Sequence, residues 1–155
     1  MRRADYSDTN CSVARTLEVM GDRWTMLVLR EAFFGVRRFE AMQRNLGIAR
    51  NVLADRLQKL VGHGILARVP YQERPERHEY RLTEKGLGLY APLIALMRWG
   101  DEHLAEPEGP PLVLHHEPCG HDMTATLTCS ECGETINPRD VRPLPGPGAR
   151  AHTRA

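Results

Sequence analysis

Apolar residues recur at helical spacing along the first part of the chain, and short breaks separate one repeat from the next. Apolar residues three or four positions apart lie on one face of a helix. The pattern predicts four helices, namely Ser12–Met20, Arg23–Phe34, Phe39–Leu46 and Ala49–His63. Gly47 predicts the tight turn that joins the third helix to the fourth, as a helix-turn-helix requires.

Beyond the fourth helix, apolar and polar residues alternate, which is typical of strands with one buried face. The alternation predicts two paired strands, Ile65–Tyr71 and His78–Leu82, joined by the loop Gln72–Arg77. Thr83 is expected to cap a last helix that runs to about Ala105. This order predicts a mainly α fold with a small β-wing, the winged helix-turn-helix, in which the fourth helix is the recognition helix.

The predicted last helix carries apolar residues on two nearly opposite faces. One face has Leu87, Tyr90, Ile94 and Met97, and the other has Leu89, Leu93 and Leu96. A monomer offers a core to one face, so the second face predicts an interface, most simply with an identical subunit. Pro92 lacks the N–H that would bond to the Gly88 carbonyl and is expected to bend this helix.

Charge is distributed unevenly, although the net charge is only +1. Residues 35–85 hold eleven Lys or Arg against six Asp or Glu, an excess of five, whereas residues 86–155 hold five against nine. A basic winged-helix segment suits attraction to phosphate, and a solvated basic face is the alternative. No apolar run is long enough to span a bilayer, and the first residues lack the apolar stretch of a signal peptide, so a cytoplasmic protein is expected.

The candidate DNA contacts lie before the third helix, on the exposed side of the fourth helix, and in the wing. They are Arg37, Arg38, Arg50, Asn51, Val52, Asp55, Gln58, Arg74 and Arg77. The first two arginines are expected to hold phosphates, and either wing arginine can enter a minor groove or remain in a solvated loop. Arg50 can form two hydrogen bonds with guanine, and Asn51 can form two with adenine.

Three residues of the fourth helix have more than one interpretation. Val52 can meet a thymine methyl or contact the preceding helix. Asp55 can accept a hydrogen bond from cytosine, but an ion pair with Lys59, four residues on, is favoured. Arg56 lies between the two faces, where it can form a structural ion pair or contact DNA.

Two short motifs of the same form stand near the C-terminus: His116-x-x-Cys119-Gly and Cys129-x-x-Cys132-Gly. Three thiolates and one imidazole would close a tetrahedral zinc site, and the glycine permits the tight turn beneath each pair. The motifs predict a bound structural zinc ion, with His115 or His121 as possible substitutes for His116. The alternatives are a small β-hairpin with reduced cysteines and a redox-active Cys129–Cys132 pair.

The composition around these motifs suggests how the chain is divided. Residues 11–105 are expected to form the winged-helix domain, 106–111 a proline-rich linker, and 112–142 a zinc-ribbon-like module. The tail 143–155 is expected to be disordered.

Several motifs resemble, in order and spacing, those of a known family. They are Cys11-Ser12-Val13, Gly21-Asp22-Arg23-Trp24-Thr25, Arg37-Arg38-Phe39, Gly47-Ile48, Leu53-Ala54-Asp55-Arg56-Leu57, Tyr80-Arg81-Leu82-Thr83-Glu84-Lys85-Gly86 and Trp99. Over residues 11–105 the chain resembles the HxlR-type winged-helix transcriptional regulators of bacteria. The resemblance implies a homodimeric repressor or activator on a roughly palindromic operator, and we favour the repressor. It also implies that the N-terminal and last helices build the dimer.

Cys11 stands at the head of the first predicted helix. In the family that the chain resembles, this cysteine often senses oxidants or electrophiles, and a helix N-terminus favours the thiolate. The alternative is a small, partly buried hydrophobic residue. Two kinds of effector stay open from the sequence: an oxidant that acts on Cys11, and a small molecule held between the last helices of a dimer.

Two other function classes compete with the DNA-binding regulator. A zinc enzyme is not expected, because the four-ligand site leaves no place for a catalytic water and no paired general base accompanies it. The second class is a zinc-ribbon protein-interaction adaptor that binds no operator.

Overall fold

The structure is a computed structural model that describes residues 10–150. It contains helices and two pairs of antiparallel strands. The elements are α1 (Ser12–Met20), α2 (Arg23–Phe33), α3 (Phe39–Leu46), α4 (Arg50–Gly62), β1 (Leu66–Glu73), β2 (Glu76–Leu82), α5 (Glu84–Leu87), α6 (Tyr90–His103), β3 (Leu114–His116) and β4 (His121–Met123). One turn of 3-10 helix, Pro138–Asp140, follows. These residues divide into two compact units, 10–90 and 91–150.

Helices α2, α3 and α4 and strand β1 build the core of the first unit. Its fully buried side chains include Val28, Leu29, Met42, Leu53, Leu57, Leu60 and Leu66. The three leucines of α4 form one apolar stripe and are all 0% exposed. Truncation of a leucine buried in this way costs about 2–5 kcal/mol. Burial of this stripe therefore decides how α4 is rotated about its axis.

The first four helices lie where the hydrophobic pattern predicts them. α1 and α3 have the predicted bounds, α2 ends one residue early, and Ala49 and His63 flank α4 as its caps. Asp22 starts α2, since its Oδ1 accepts a hydrogen bond from the N–H of Trp24 at 2.9 Å. Gly47 has φ of 60°, the left-handed conformation that the turn before α4 requires.

The wing is longer than the sequence predicts, and the expected loop Gln72–Arg77 is wrong at both ends. The β1–β2 ladder continues through the pairs Gln72↔Arg77 and Glu73↔Glu76, so the turn needs only Arg74 and Pro75. The register shifts after Pro70, which has no N–H to give to a ladder. Arg77 therefore lies on a strand and not in a loop.

The single last helix is also a wrong prediction, because the structure divides it. Thr83 caps only the short α5, where its Oγ1 accepts a hydrogen bond from the N–H of Gly86 at 3.1 Å. The chain leaves the helix at Gly88 and starts α6 at Tyr90. Pro92 then falls in the first turn of α6, where a missing N–H removes no helical hydrogen bond, so the expected bend at Pro92 is replaced by a break before it.

The second unit, residues 91–150, contains two short strands besides α6. Strands β3 and β4 pair antiparallel through Leu114↔Met123 and His116↔His121. An isolated bridge joins Thr128 to Thr135. Residues 143–150 have neither helix nor strand, and the rest of the tail that is expected to be disordered, 151–155, lies outside the described residues.

Candidate nucleic-acid interface

The outer face of α4 presents polar side chains in a row. Asn51, Asp55 and Gln58 are exposed, and their spacing of four and three residues places them on one side of the helix. They face away from the buried leucine stripe. Val52 is half-buried and packs against the core, in agreement with a contact inside the protein. Amide and carboxylate side chains of this kind are able to form hydrogen bonds with base edges.

The start of α4 is held by an aromatic contact and left without a side-chain cap. The guanidinium of Arg50 lies 4.9 Å from the centre of the Phe39 ring, so a residue of α3 supports it. Ala49 occupies the N-cap and its side chain makes no cap hydrogen bond. The first amides of α4 are thus directed outward beside a positive charge, which suits an anion such as a phosphate.

Arg37 and Arg38 lie in an extended segment next to the wing. The backbone of Arg38 forms an isolated antiparallel β-bridge with Glu79 of β2. The carbonyl of Arg37 accepts a hydrogen bond from the N–H of Tyr80 at 2.8 Å. The guanidinium of Arg38 sits 4.6 Å from the centre of the Tyr71 ring. Both arginine side chains are exposed. The backbone of this pair is therefore fixed to the wing while its charges face solvent.

The wing carries exposed arginines on the turn and on both strands. Arg74 is in the turn, where its carbonyl accepts a hydrogen bond from Nε2 of Gln72 at 3.1 Å, and Arg77 follows on β2. Arg68 of β1, which is not among the predicted contacts, is a further exposed arginine of the wing. Its Nη2 is 3.1 Å from Nδ1 of His78 on β2. Its exposed position in an alternating strand is the signal that could have identified it.

An ion pair joins the start of α2 to the middle of α4. Arg56 Nε lies 3.0 Å from Asp22 Oδ1, and its Nη2 donates to Asp22 Oδ2 at 3.1 Å. The two side chains are only 16% and 22% exposed. Arg56 is therefore a structural residue, and Asp22 both caps α2 and holds α4.

The favoured pair between Asp55 and Lys59 is wrong. Asp55 Oδ2 lies 2.8 Å from Nη1 of Arg56, whereas Nζ of Lys59 donates to the backbone carbonyl of Glu18 at 2.5 Å. Lys59 thereby connects α4 to α1. The i, i+4 pair is replaced on one side by a contact between adjacent residues, Asp55 and Arg56, and on the other by a tertiary contact from Lys59 to α1.

Residues 19–108 match the HxlR-like helix-turn-helix family. The chain belongs to this family. HxlR-like proteins are transcription regulators and not enzymes, so the chain is a helix-turn-helix transcriptional regulator. In helix-turn-helix proteins generally, the second helix of the motif is the one that enters the major groove.

Known proteins resemble the chain beyond the winged helix. An uncharacterized HTH-type transcriptional regulator of Mycobacterium tuberculosis is 57% identical over 140 residues, which cover 90% of this chain and 89% of that protein. The crystal structure of PA1607, described as a candidate transcription factor, superposes with a TM-score of 0.81 at 36% identity and covers 91% of this chain and 99% of that one. The redox regulator HypR in its reduced form gives a TM-score of 0.55 at 29% identity, over 59% of this chain and 92% of that one.

The HxlR-like match ends before the C-terminal cysteines, which form two tight turns. In the first, the carbonyl of His116 accepts hydrogen bonds from the N–H groups of Cys119 and Gly120 at 3.2 and 2.9 Å. In the second, the N–H of Gly133 donates to the carbonyl of Cys129 at 2.9 Å. Both glycines have positive φ, 69° and 75°, as the predicted turns need.

Each turn brings one pair of predicted ligands together. His116 Nδ1 lies 3.2 Å from the Sγ of Cys119. Hydrogen bonds from the N–H groups of Cys132 and Glu131, and from the Cys132 thiol, hold the pKa of the Cys129 thiol below its ordinary value. Across residues 10–150, however, no group of three or more His, Cys, Asp or Glu side chains is placed to hold a metal ion. The four-ligand zinc site stays a prediction.

The other two histidines have different partners. His115 lies 3.0 Å from an Asp122 carboxylate oxygen, and Nδ1 of His121 is 2.6 Å from the carbonyl of Cys119. Of the three histidines near the first turn, His116 is the one that contacts a cysteine sulfur.

Cys11 occupies the N-cap of α1. It is half-buried and free, and its carbonyl accepts a hydrogen bond from the N–H of Arg15 at 3.0 Å. Its side chain makes no cap hydrogen bond. Between Asn10 and Arg150, no helix has the length and apolar character needed to cross a bilayer.

The Asp22–Arg56 pair gives a test of how α4 is held. We expect Asp22→Asn and Arg56→Met to be coupled by about 0.5–3 kcal/mol in a double-mutant cycle, because asparagine keeps the helix cap and removes only the ion pair. The measurement is urea unfolding of the four proteins. The matched control is the cycle of Asp55→Asn with Arg56→Met, where the Asp55 side chain is 68% exposed and the coupling should be about 0–1 kcal/mol. Equal coupling in the two cycles would contradict the assigned role of Asp22.

Proposed function

We propose that this HxlR-like regulator binds a pseudo-palindromic operator as a homodimer and represses transcription from it. The observation that carries the proposal is the exposed row Asn51, Asp55 and Gln58 on a helix whose opposite face is fully buried. A dimer presents two such helices, and a two-fold protein fits a two-fold site. Repression follows when the occupied operator overlaps the place where the polymerase binds.

In this proposal, one set of residues contacts the phosphates and another contacts the base edges. Arg37, Arg38 and the wing arginines face solvent from backbone that the sheet holds in place, which suits contacts to phosphates. Arg50 and Asn51 lie in the first turn of α4, where their side chains reach base edges of the major groove. The local excess of basic residues in 35–85 supports this division.

Exposed apolar side chains on α1 and α6 support the homodimer. Val13 and Leu17 of α1 are 67% and 54% exposed, and Leu96 and Trp99 of α6 are 57% and 55% exposed. None of the residues of α6 is buried in the single chain as described. Apolar side chains of this size exposed along two helices favour burial against a second copy.

Substitutions in α4 and in the wing should separate base reading from phosphate binding. Asn51→Ala should weaken operator binding by about 1–3 kcal/mol and leave binding to unrelated DNA unchanged. Arg77→Ala should weaken binding to both DNAs and lower the salt dependence of log K by about one unit. The measurement is a gel-shift and anisotropy titration at several salt concentrations on DNA that flanks the chain's own gene.

The control for that titration is Arg142→Ala, which removes one positive charge from the second unit. Arg142 lies outside the winged helix and is exposed, so affinity and salt slope should not change. A wild-type protein that retards no fragment would favour the interaction adaptor over the operator-binding regulator. Unchanged affinity of Arg77→Ala would remove the wing from the interface.

For the oxidant response we propose Cys11 as the sensor. Support comes from its place at the N-cap of α1, the helix assigned to the dimer, and from the similarity to the redox regulator HypR. Hydrogen peroxide would convert the Cys11 thiol into a sulfenic acid with release of water. The polar product would disturb α1 and loosen the dimer.

Peroxide treatment followed by an operator titration tests the sensor. Wild type and Cys132→Ser should both lose affinity for the operator, and dithiothreitol should restore it, whereas Cys11→Ser should keep its affinity throughout. Loss of binding by Cys11→Ser under the same treatment would eliminate Cys11 as the sensor.

For the second unit we propose that a zinc ion draws the two turns together through His116, Cys119, Cys129 and Cys132. Thiolates and an imidazole are ligands that zinc prefers, and each turn already pairs two of them. Zinc would supply a structural cross-link between the turns. A module with so few buried residues gains most of its stability from such a cross-link.

Native mass spectrometry of the full chain tests the zinc site. Protein purified with zinc should carry about one ion per chain. Cys132→Ser should lose the ion, whereas Cys11→Ser, the matched control outside the module, should retain it. Wild-type protein without zinc, in which amide exchange shows the same protection of residues 112–142 as in zinc-treated protein, would refute the proposal.

A further inference from the structure

A cavity of about 250 Å³ lies in the first unit, between α1, the end of α4 and α5. Its apolar lining consists of Val19, Met20, Ile65 and Leu89. Ile65 and Met20 belong to the buried core, so the floor of the cavity is fixed. The volume approaches the lower end of small-ligand pockets, which suits a compound of about one ring.

The rim of this cavity is basic. Arg15, Lys85 and His63 line it together with the hydroxyl-bearing Thr16, and none of its lining residues, all within 10–150, is acidic. Lys85 Nζ donates to the carbonyl of His63 at 2.7 Å. Arg15 Nη2 donates to Oδ1 of Asn10 at 3.2 Å. Both of these acceptors are neutral, so a carboxylate would be a stronger partner for either cation.

Close backbone packing keeps the rim in place. A Cβ on Gly86 would come within 2.2 Å of the carbonyl oxygen of Ile65, so only glycine lets α5 approach the start of β1 in this way. Thr83 Oγ1 donates to the carbonyl of Gly64 at 2.6 Å on the same side. Lys85 and Leu89 therefore project from an anchored segment, and the cavity is preformed.

We propose that this cavity binds a small carboxylate with an apolar, one-ring body, and that the ligand regulates the protein. The ring would lie on the apolar floor, and the carboxylate would accept hydrogen bonds from Lys85 and Arg15. The charge of the rim selects an anion, and the size and polarity of the floor select an apolar body over a free inorganic ion.

The same contacts connect the cavity to α4. Lys85 donates to the carbonyl of His63, the C-cap of α4, where a cation also favours the helix dipole. A carboxylate that recruits Lys85 competes with this contact, and the end of α4 loses a partner. This coupling, which depends on the proposed DNA-binding function, predicts that the ligand weakens operator binding.

Calorimetric titration of the full-length protein with benzoate tests the cavity without DNA. Wild type should bind benzoate saturably below about 10 mM, with neutral benzamide and inorganic phosphate each at least about tenfold weaker. Lys85→Met and Arg15→Met should each weaken benzoate binding about tenfold. The matched control Arg142→Met should bind benzoate as wild type does.

The remaining outcomes each overturn a part of the proposal. Equal binding of benzamide would show an apolar cavity that does not select charge, and equal binding of phosphate would show anion attraction that does not use the floor. No benzoate binding by wild type would remove the site. Benzoate binding with unchanged operator affinity would remove the coupling alone, and benzoate binding by a protein that retards no DNA would refute the proposed function and leave the site intact.

Discussion

The rotation of α4 about its own axis is the constraint on which the proposed interface depends. Leu53, Leu57 and Leu60 are fully buried, and turning the helix would expose them at a cost of several times the roughly 2–5 kcal/mol of one leucine truncation. The Asp22–Arg56 pair adds a polar contact at the same level of the helix. Because the inner face is held in both ways, Asn51, Asp55 and Gln58 lie on the solvent-exposed side of the helix.

Most of the N-terminal fold follows from hydrophobic spacing, because each helix there buries one apolar face. The stripe 53, 57 and 60 is visible in the sequence, and so is the left-handed turn at Gly47. The errors occur where one local rule competes with another contact, either with a sequence neighbour or with a distant partner. Asp55 pairs with Arg56 and Lys59 reaches α1, although the i, i+4 rule joins the two to each other. Likewise, Pro92 is compatible with a bend inside one long helix and with a place in the first turn of a new helix. Hydrophobic spacing alone does not distinguish these cases.

The C-terminal module shows how far spacing can determine a site. Two intervening residues and a following glycine are enough to predict each turn, since the pairs His116–Cys119 and Cys129–Cys132 are local. Whether the two pairs meet depends on the path of residues 120–128 between them. This segment carries few apolar side chains that could fix its path. The chemistry of the ligands is thus readable from the sequence, and their convergence is not.

Both ends of α4 are held by groups that respond to different partners. At its start, the first turn has no side-chain cap and Arg50 lies over the Phe39 ring, so in the proposed complex the free amides would meet a phosphate while the Arg50 side chain reaches a base edge. At its end, Lys85 completes the last turn from inside the first unit, and Lys59 joins the helix to α1. Under the proposed regulation, a ligand that draws Lys85 away from the His63 carbonyl removes one contact at the end of α4. The buried leucine stripe connects that end to the face proposed to bind DNA, so the proposed response needs no large rearrangement.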